Sequence, residues 1–246
     1  MAAMADIPRI ITFDDIDSTN AEARRLAEAH EAGPLWIIAL RQHAGRGRRG
    51  RSWETGEGNL ATTYLFTSLK SPAEAAQVSF VAALAAADLA DRYVPPEIVR
   101  LKWPNDPMIA GRKSAGILVE SGSLGSDGLW LAVGCGVNLA RAPVEMNRAV
   151  TALADHMNGA PPTPREALEV LAAAMERWRA VWETEGFGPI AEAWTARAFG
   201  LGEACSAHLV GETVRGIAEG LDIDGALRLR LDDGTIRRIT AGDVFF

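Results

Sequence analysis

The chain has 246 residues, 48% hydrophobic and 23% charged, a composition that builds a real core and excludes a disordered or fibrous protein. Its formal net charge is −7, opposite to the basic balance of proteins that coat nucleic acid. The two cysteines, Cys135 and Cys205, lie far apart and outside any C-x-x-C pair, which excludes a disulfide framework and a paired-thiol zinc or redox motif.

Residues 1–10 lack a cationic start followed by a long apolar run, so no secretory signal is expected. A short strand over residues 10–13 is followed by Asp17-Ser18-Thr19-Asn20 and a helix over residues 21–30. Thr19 and Glu22 have the spacing of a capping box, and Gly33-Pro34 stops the helix. Residues 35–40 read as a buried strand. Residues 41–59 are rich in glycine and arginine without apolar periodicity, hence a loop. A strand is expected over 60–67 and a helix from Pro72 to about residue 92. The least polar stretch, residues 80–90, falls short of the roughly 20 apolar residues a membrane helix needs, so a soluble, cytoplasmic protein without a membrane partner is expected.

Residues 98–103 form another strand, ending in a turn at Pro104-Asn105-Asp106-Pro107. Residues 113–120 and 129–138 read as two strands. An amphipathic helix over 165–182 and a shorter one over 189–198 follow. From residue 203 onward four short alternating segments with D-G turns predict a small antiparallel unit. The expected fold is α+β, with a catalytic domain over residues 1–200 and a β domain over 201–246.

Gly45-Arg46-Gly47-Arg48-Arg49-Gly50-Arg51, followed by Ser52 and Trp53, matches G-x-G-x-x-G literally. No helix opens after it, so it is not a dinucleotide fingerprint. It offers four guanidiniums, suited to bidentate phosphate contacts, on a backbone whose glycines let N–H groups approach an anion. Four like charges so close predict a loop that orders on a polyanion. A solvated loop or an RNA contact is the plainer alternative. In Lys102-Trp103-Pro104-Asn105-Asp106, a lysine at a strand end beside a rigid turn can stabilise charge developing between a carboxylate and a phosphate. It can equally be an ordinary strand-end lysine. Gly134 and Gly136 within one strand indicate close approach by a ligand or backbone, or a bulge. Ser18-Thr19-Asn20 divides between helix cap and ligand contact. Gly111-Arg112-Lys113-Ser114 is out of register for a P-loop, and the four histidines have no metal-ligand spacing. No protein-built metal site is expected.

Taken in order, Asp17 to Asn20, Gln42 to Trp53, Lys102 to Asp106, Lys113 to Glu120 and Gly134 to Asn138 resemble the motifs of the biotin–protein ligases over nearly the whole chain. The resemblance implies a mixed β-sheet catalytic domain with flanking helices, similar to class II aminoacyl-tRNA synthetases, followed by a small SH3-like barrel. It implies a two-step reaction using biotin, ATP and Mg2+, with transfer to a lysine of a biotin carboxyl carrier domain. It places Ser18, Thr19, Asn20, Gln42 and Gly116 at biotin. Arg46, Gly47 and Arg48 would wrap the biotinyl-adenylate, with Arg49 and Arg51 on the nucleotide side. Trp53 would shield the adenine, Asn138 would lie near the nucleotide, and Lys102 and Arg48 would be catalytic. Some members carry an N-terminal DNA-binding domain; few residues precede Asp17, so no DNA partner is expected. The resemblance allows a homodimer through the catalytic sheet. The nearest rival is a lipoate–protein ligase or octanoyltransferase, and the rival of another class is an RNA-binding module.

Overall fold

The computed structural model describes residues 7–31, 33–143 and 149–246. Most of the N-terminal segment read for a signal, residues 1–6, lies outside the described residues. In chain order the N-terminal part comprises β1 (Arg9–Ile16), α1 (Thr19–Glu28), β2 (Leu35–Gln42), β3 (Leu60–Ser68), α2 (Pro72–Ala75) and α3 (Val78–Asp91). It continues with β4 (Val99–Lys102), β5 (Asp106–Ile109), β6 (Arg112–Lys113), β7 (Ala115–Ser123), β8 (Leu129–Val137), α4 (Pro164–Glu185) and α5 (Phe187–Ala196).

The central sheet has strand order β1-β2-β3-β8-β7. β1 runs parallel to β2 and the remaining pairs are antiparallel, so the sheet is mixed as expected. β2 is apolar on both sides because both faces are covered. Its Trp36 and Ile38 join the large core beneath α3 and α4, and Leu35 and Ile37 join a second cluster under α1. Trp36, Tyr64 and Phe66 stack across β2 and β3 at 4.7 and 5.0 Å between ring centroids.

The helix expected from Pro72 is two helices in tandem. Pro72 sits at the first position of α2, and Ser71 with Glu74 forms a capping box. Pro72–Asp91 is together long and apolar enough to cross a membrane by length and composition, beyond the stretch judged from sequence; 67% of its apolar window is buried inside the protein. Alanine explains this: small side chains all round α3 let the sheet and α4 approach closely. A three-stranded sheet, β4-β5-β6, carries Lys102 to the cavity described below.

The C-terminal unit has five strands, one more than the alternation suggested: β9 (Ala204–His208), β10 (Thr213–Leu221), β11 (Leu227–Arg230), β12 (Ile236–Ile239) and β13 (Asp243–Phe245). Their order is β12-β11-β10-β9-β13. No ladder pairs β12 with β13 among the described residues, so the expected barrel is an open antiparallel sheet. The extra strand is only three residues long, too short to show alternation. This sheet is pinned to the N-terminal part by Trp103, whose Nε1 donates to the carbonyl of Gly225 at 2.9 Å, and by an edge-to-face contact of Phe199 with Phe246.

α4 begins with a complete capping box: the Thr163 hydroxyl accepts from the Glu166 N–H, and the Glu166 carboxylate accepts from the Thr163 N–H. Thr163→Ala is expected to cost about 1 kcal/mol, a fall in Tm of about 2–4 °C for a chain of this size by thermal unfolding.

Candidate active site

One cavity gathers the N-terminus of α1, the faces of β3, β7 and β8, the arginine loop, the β4–β5 turn and β13. At one end lie Ser18, Thr19 and Asn20, all buried. Ser18 occupies the cap position of α1 but makes no side-chain cap bond, and Thr19 is already helical. The capping box read from Thr19 and Glu22 is therefore absent. The Thr19 hydroxyl turns to the sheet instead. Its N–H and hydroxyl both donate to Gln42 Oε1, at 2.8 and 3.1 Å. Thr63 lies 2.8 Å from the Thr19 hydroxyl and 2.7 Å from Asn20 Oδ1. Asn20 Nδ2 donates to Glu120 at 2.8 Å. This lattice fixes the direction of every amide and hydroxyl in it, as recognition of a polar ring requires.

The wall beside it is stripped of side chains. A Cβ on Gly134 would lie 2.1 Å from Asn20 Oδ1; on Gly136, 2.2 Å from Trp53 Nε1; on Gly116, 2.6 Å from Trp53 Cζ3. The paired glycines are thus neither a bulge nor an accident: one admits the Asn20 amide, and the other joins Gly116 in seating the Trp53 indole. The Trp53 ring thus packs against Gly116, the residue that the resemblance places at biotin. Behind the wall, burial pushes the Cys135 thiol up to about 12.

At the other end positive charge converges. Lys102 Nζ lies 3.4 Å from Asp106 Oδ2 and 3.4 Å from the carbonyl of Val244. Lys113 Nζ meets the other Asp106 oxygen at 2.5 Å. Burial acts to raise the Asp106 carboxyl, but the charges and hydrogen bonds of Lys113 and Lys102 outweigh it and hold the carboxyl below the ordinary range. Arg48 donates to Asn105 Oδ1 at 3.0 Å and to the Gly242 carbonyl at 3.4 Å. Burial pushes its guanidinium below the usual value, opposed by Asp106 and Asp243.

The arginine loop is held rather than loose. Gly47 N–H donates to the Arg51 carbonyl at 2.8 Å and Trp53 N–H to that of Gly45 at 2.9 Å. Arg46 pairs with Glu120 at 3.2 Å, Arg49 with Asp243 at 3.2 Å, and Arg51 also pairs with Asp243. Carboxylates of the protein itself supply the anions on which such a loop was expected to order.

Of the residues singled out from sequence, Ser18, Thr19, Asn20, Gln42, Arg46, Gly47, Arg48, Arg51, Trp53, Lys102 and Gly116 line this cavity; Arg49 and Asn138 do not. Arg49 faces Asp243. Asn138 is buried, donating from Nδ2 to the Thr151 carbonyl at 3.0 Å, so it braces the segment after β8 instead of standing in the cavity. Sequence reading missed Lys113, Glu120 and Asp243 as site residues, and Asp106 as the partner of two lysines. Lys113 and Glu120 flank Gly116 in a quoted motif and carried that signal; Asp243 had none nearby. Among the described residues no three His, Cys, Asp or Glu side chains cluster as a metal site, and the acids of this cavity are taken by cations.

Two outcomes follow from this geometry. Gly136→Ala must displace Trp53 and is expected to cost about 1–3 kcal/mol; Trp53→Ala should cost less in that background than alone, read from a denaturation double-mutant cycle. The depressed Asp106 carboxyl contributes stability that is complete above its unfolded value, about pH 3.9, and is lost as pH falls through the lower folded value. Asp106→Asn should therefore flatten the acid limb of a Tm–pH profile below about pH 4.

The chain matches the model of the Biotin/lipoate A/B protein ligase family over residues 12–138 and that of the Biotin protein ligase C terminal domain over residues 200–246. It is 45% identical to the biotin–[acetyl-CoA-carboxylase] ligase of Paracoccus denitrificans over 94% of this chain and 97% of that one. It is 32% identical to the bifunctional ligase/repressor BirA of Escherichia coli (strain K12), over 93% of this chain and 71% of the relative. The biotin protein ligase from Aquifex aeolicus in complex with biotin and ATP superposes with a TM-score of 0.78 at 25% identity, over 96% of this chain and 97% of that one. With both of the family's matching regions in place around one cavity, the chain belongs to the biotin–protein ligases.

Proposed function

We propose that the protein joins biotin to ATP as biotinyl-5′-AMP and transfers the biotinyl group to a lysine of a biotin carboxyl carrier domain. The observation that carries this is the placement of Lys102 and Arg48 in the same cavity as the Thr19–Asn20–Gln42 lattice. Biotin is a neutral, hydrogen-bonding ureido ring joined through an apolar tail to a carboxylate. The cavity has a fixed amide and hydroxyl lattice, a glycine wall with an aromatic cover, and a cationic end.

In the first step a biotin carboxylate oxygen bonds to the α-phosphorus of ATP, the bond to the β,γ-phosphates breaks, and pyrophosphate leaves with the electron pair. Two anions must meet, so fixed positive charge in a partly buried setting lowers the barrier. Lys102 bridges carboxylate and α-phosphate, and Arg48 stabilises the charge on the phosphate oxygens. Arg46, Arg49 and Arg51 hold the nucleotide side, releasing Glu120 and Asp243 as phosphate replaces them. Trp53 covers the biotin slot. Magnesium would arrive with the triphosphate, whose oxygens supply most of its ligands. In the second step the neutral lysine amine bonds to the anhydride carbonyl carbon, the C–O bond to AMP breaks, and the amine's proton passes to solvent. A closed loop keeps water from the anhydride meanwhile. The proposal includes a cytoplasmic setting without DNA or membrane partners, and a second copy of the chain pairing at an outer strand of the central sheet.

The alternative substrate, lipoate, lacks a ureido ring and gives the Asn20–Gln42 lattice nothing to bind, which favours biotin. MgATP-dependent labelling of a purified biotin carboxyl carrier domain, read with streptavidin and run beside lipoate transfer, tests the reading. Lys102→Ala should lower biotinyl-adenylate formation by about 100-fold or more; undiminished adenylation would remove its assigned role, and lipoate transfer in place of biotin would reverse the substrate.

A further inference from the structure

A second cleft opens on the far side of Arg48, between the α2–α3 junction, the outer strand β7 and the turn joining β10 to β11. It shares Arg48, Trp103, Pro104 and Leu118 with the substrate cavity. The two spaces therefore adjoin, with these side chains as the wall between them, and Arg48 in that wall is held by the 3.0 Å hydrogen bond to Asn105. Nothing in the adenylation step uses this cleft.

We infer that the cleft admits the acceptor lysine: it is the passage by which the carrier domain's side chain reaches the anhydride. The inference rests on the proposed function and goes beyond it by giving the second substrate a route separate from the first two. Three groups must converge on one carbonyl carbon. The biotin ring and tail fill the glycine-walled slot, and the nucleotide takes the side of the arginine loop. The amine has to approach from a third side, and the cleft is the opening that ends at Arg48 and Pro104. Its lining matches an unbranched aliphatic stem. Ala75, Ala76 and Ser79 give small walls, and Val119 gives an apolar one. At the rim Asp224 is held by Arg238 at 2.6 Å and by the Ala226 N–H at 3.1 Å, which fixes the turn that borders the cleft. A lysine entering here passes these small and apolar walls and then meets Arg48, whose movement from Asn105 would open the last step.

The inference separates the two half-reactions. Ala76 and Ser121 line the cleft and are exposed, and Ala76 has ordinary helical backbone geometry, so Ala76→Trp and Ser121→Trp fill the cleft without disturbing the core. Biotin-dependent ATP–pyrophosphate exchange reports adenylation; labelling of a purified biotin carboxyl carrier domain reports transfer; hydroxylamine, a nucleophile needing no passage, reports reactivity of the bound anhydride. Both variants are expected to keep exchange and hydroxylamine release within about twofold of the parent while transfer to the carrier falls about tenfold or more. A control, Glu169→Trp on the exposed face of α4, should change none of the three. Unchanged transfer in both cleft variants, or exchange falling in parallel with transfer, would overturn the inference. Absence of biotin-dependent exchange in the parent protein would instead overturn the proposed function.

Discussion

Like charges repel, and a site built to bring two anions together has to store several cations in a small, half-dry volume. The structure is organised around balancing them. Asp106 stands between Lys102 and Lys113, Asp243 takes Arg49 and Arg51, and Glu120 takes Arg46. Each carboxylate comes from a different element, so closing the site requires β5, β7 and β13 to be in place together. The backbone carbonyls of Gly242 and Val244 add acceptors for Arg48 and Lys102. The same carboxylates keep the loop folded in a form that a triphosphate can enter by exchange rather than by ordering a random segment, which lowers the entropic cost of binding.

The second constraint is steric. A recognition lattice for a planar polar ring needs amides at fixed angles, and amides of that kind take room on a sheet face where neighbouring Cβ atoms stand about 4.5–5.5 Å apart. Gly134 and Gly136 free that room, one for Asn20 and one for Trp53. Missing side chains on β8 and polar side chains on α1 are two halves of one device. The cost is borne by the other face of the sheet, where Trp36, Tyr64 and Phe66 pack densely against α3 and α4.

Local chemistry in the sequence carried most of the elements and a large part of the site. Apolar and β-branched runs marked the strands of the central sheet, alternation marked the C-terminal unit and a period of 3.6 marked α4, and the glycine-arginine run announced an anion-binding loop before any geometry was known. What escaped depended on distance. Thr19 has the spacing of a cap, yet Gln42 and Thr63 compete for its hydroxyl, and nothing near Thr19 reveals them. Asn138 belongs to a motif whose glycines touch the site, but it lies one residue past the end of β8, where its amide donates to the Thr151 carbonyl. Asp243 lies nearly two hundred residues from the arginines it binds (Arg49 and Arg51 are 194 and 192 positions away). β13 itself was invisible because three residues cannot display a period.

The attachment of the C-terminal sheet has a consequence for how such proteins diverge and are re-engineered. Gly225 receives the Trp103 indole hydrogen bond while leaving no room for a Cβ beside Phe80. Val244 of β13 at the same time presents its backbone carbonyl to Lys102, and Gly242 just before the strand presents its own to Arg48. A unit of this kind is a small domain by its ladder and half of an interlock by its contacts. Grafting it from a distant relative would replace Gly225, Asp243 and the closing phenylalanine while keeping the old Phe80, Trp103 and Phe199. Working chimeras should therefore be those in which the two sides of the seam travel together, so that the boundary of exchange follows the contacts and not the end of α5.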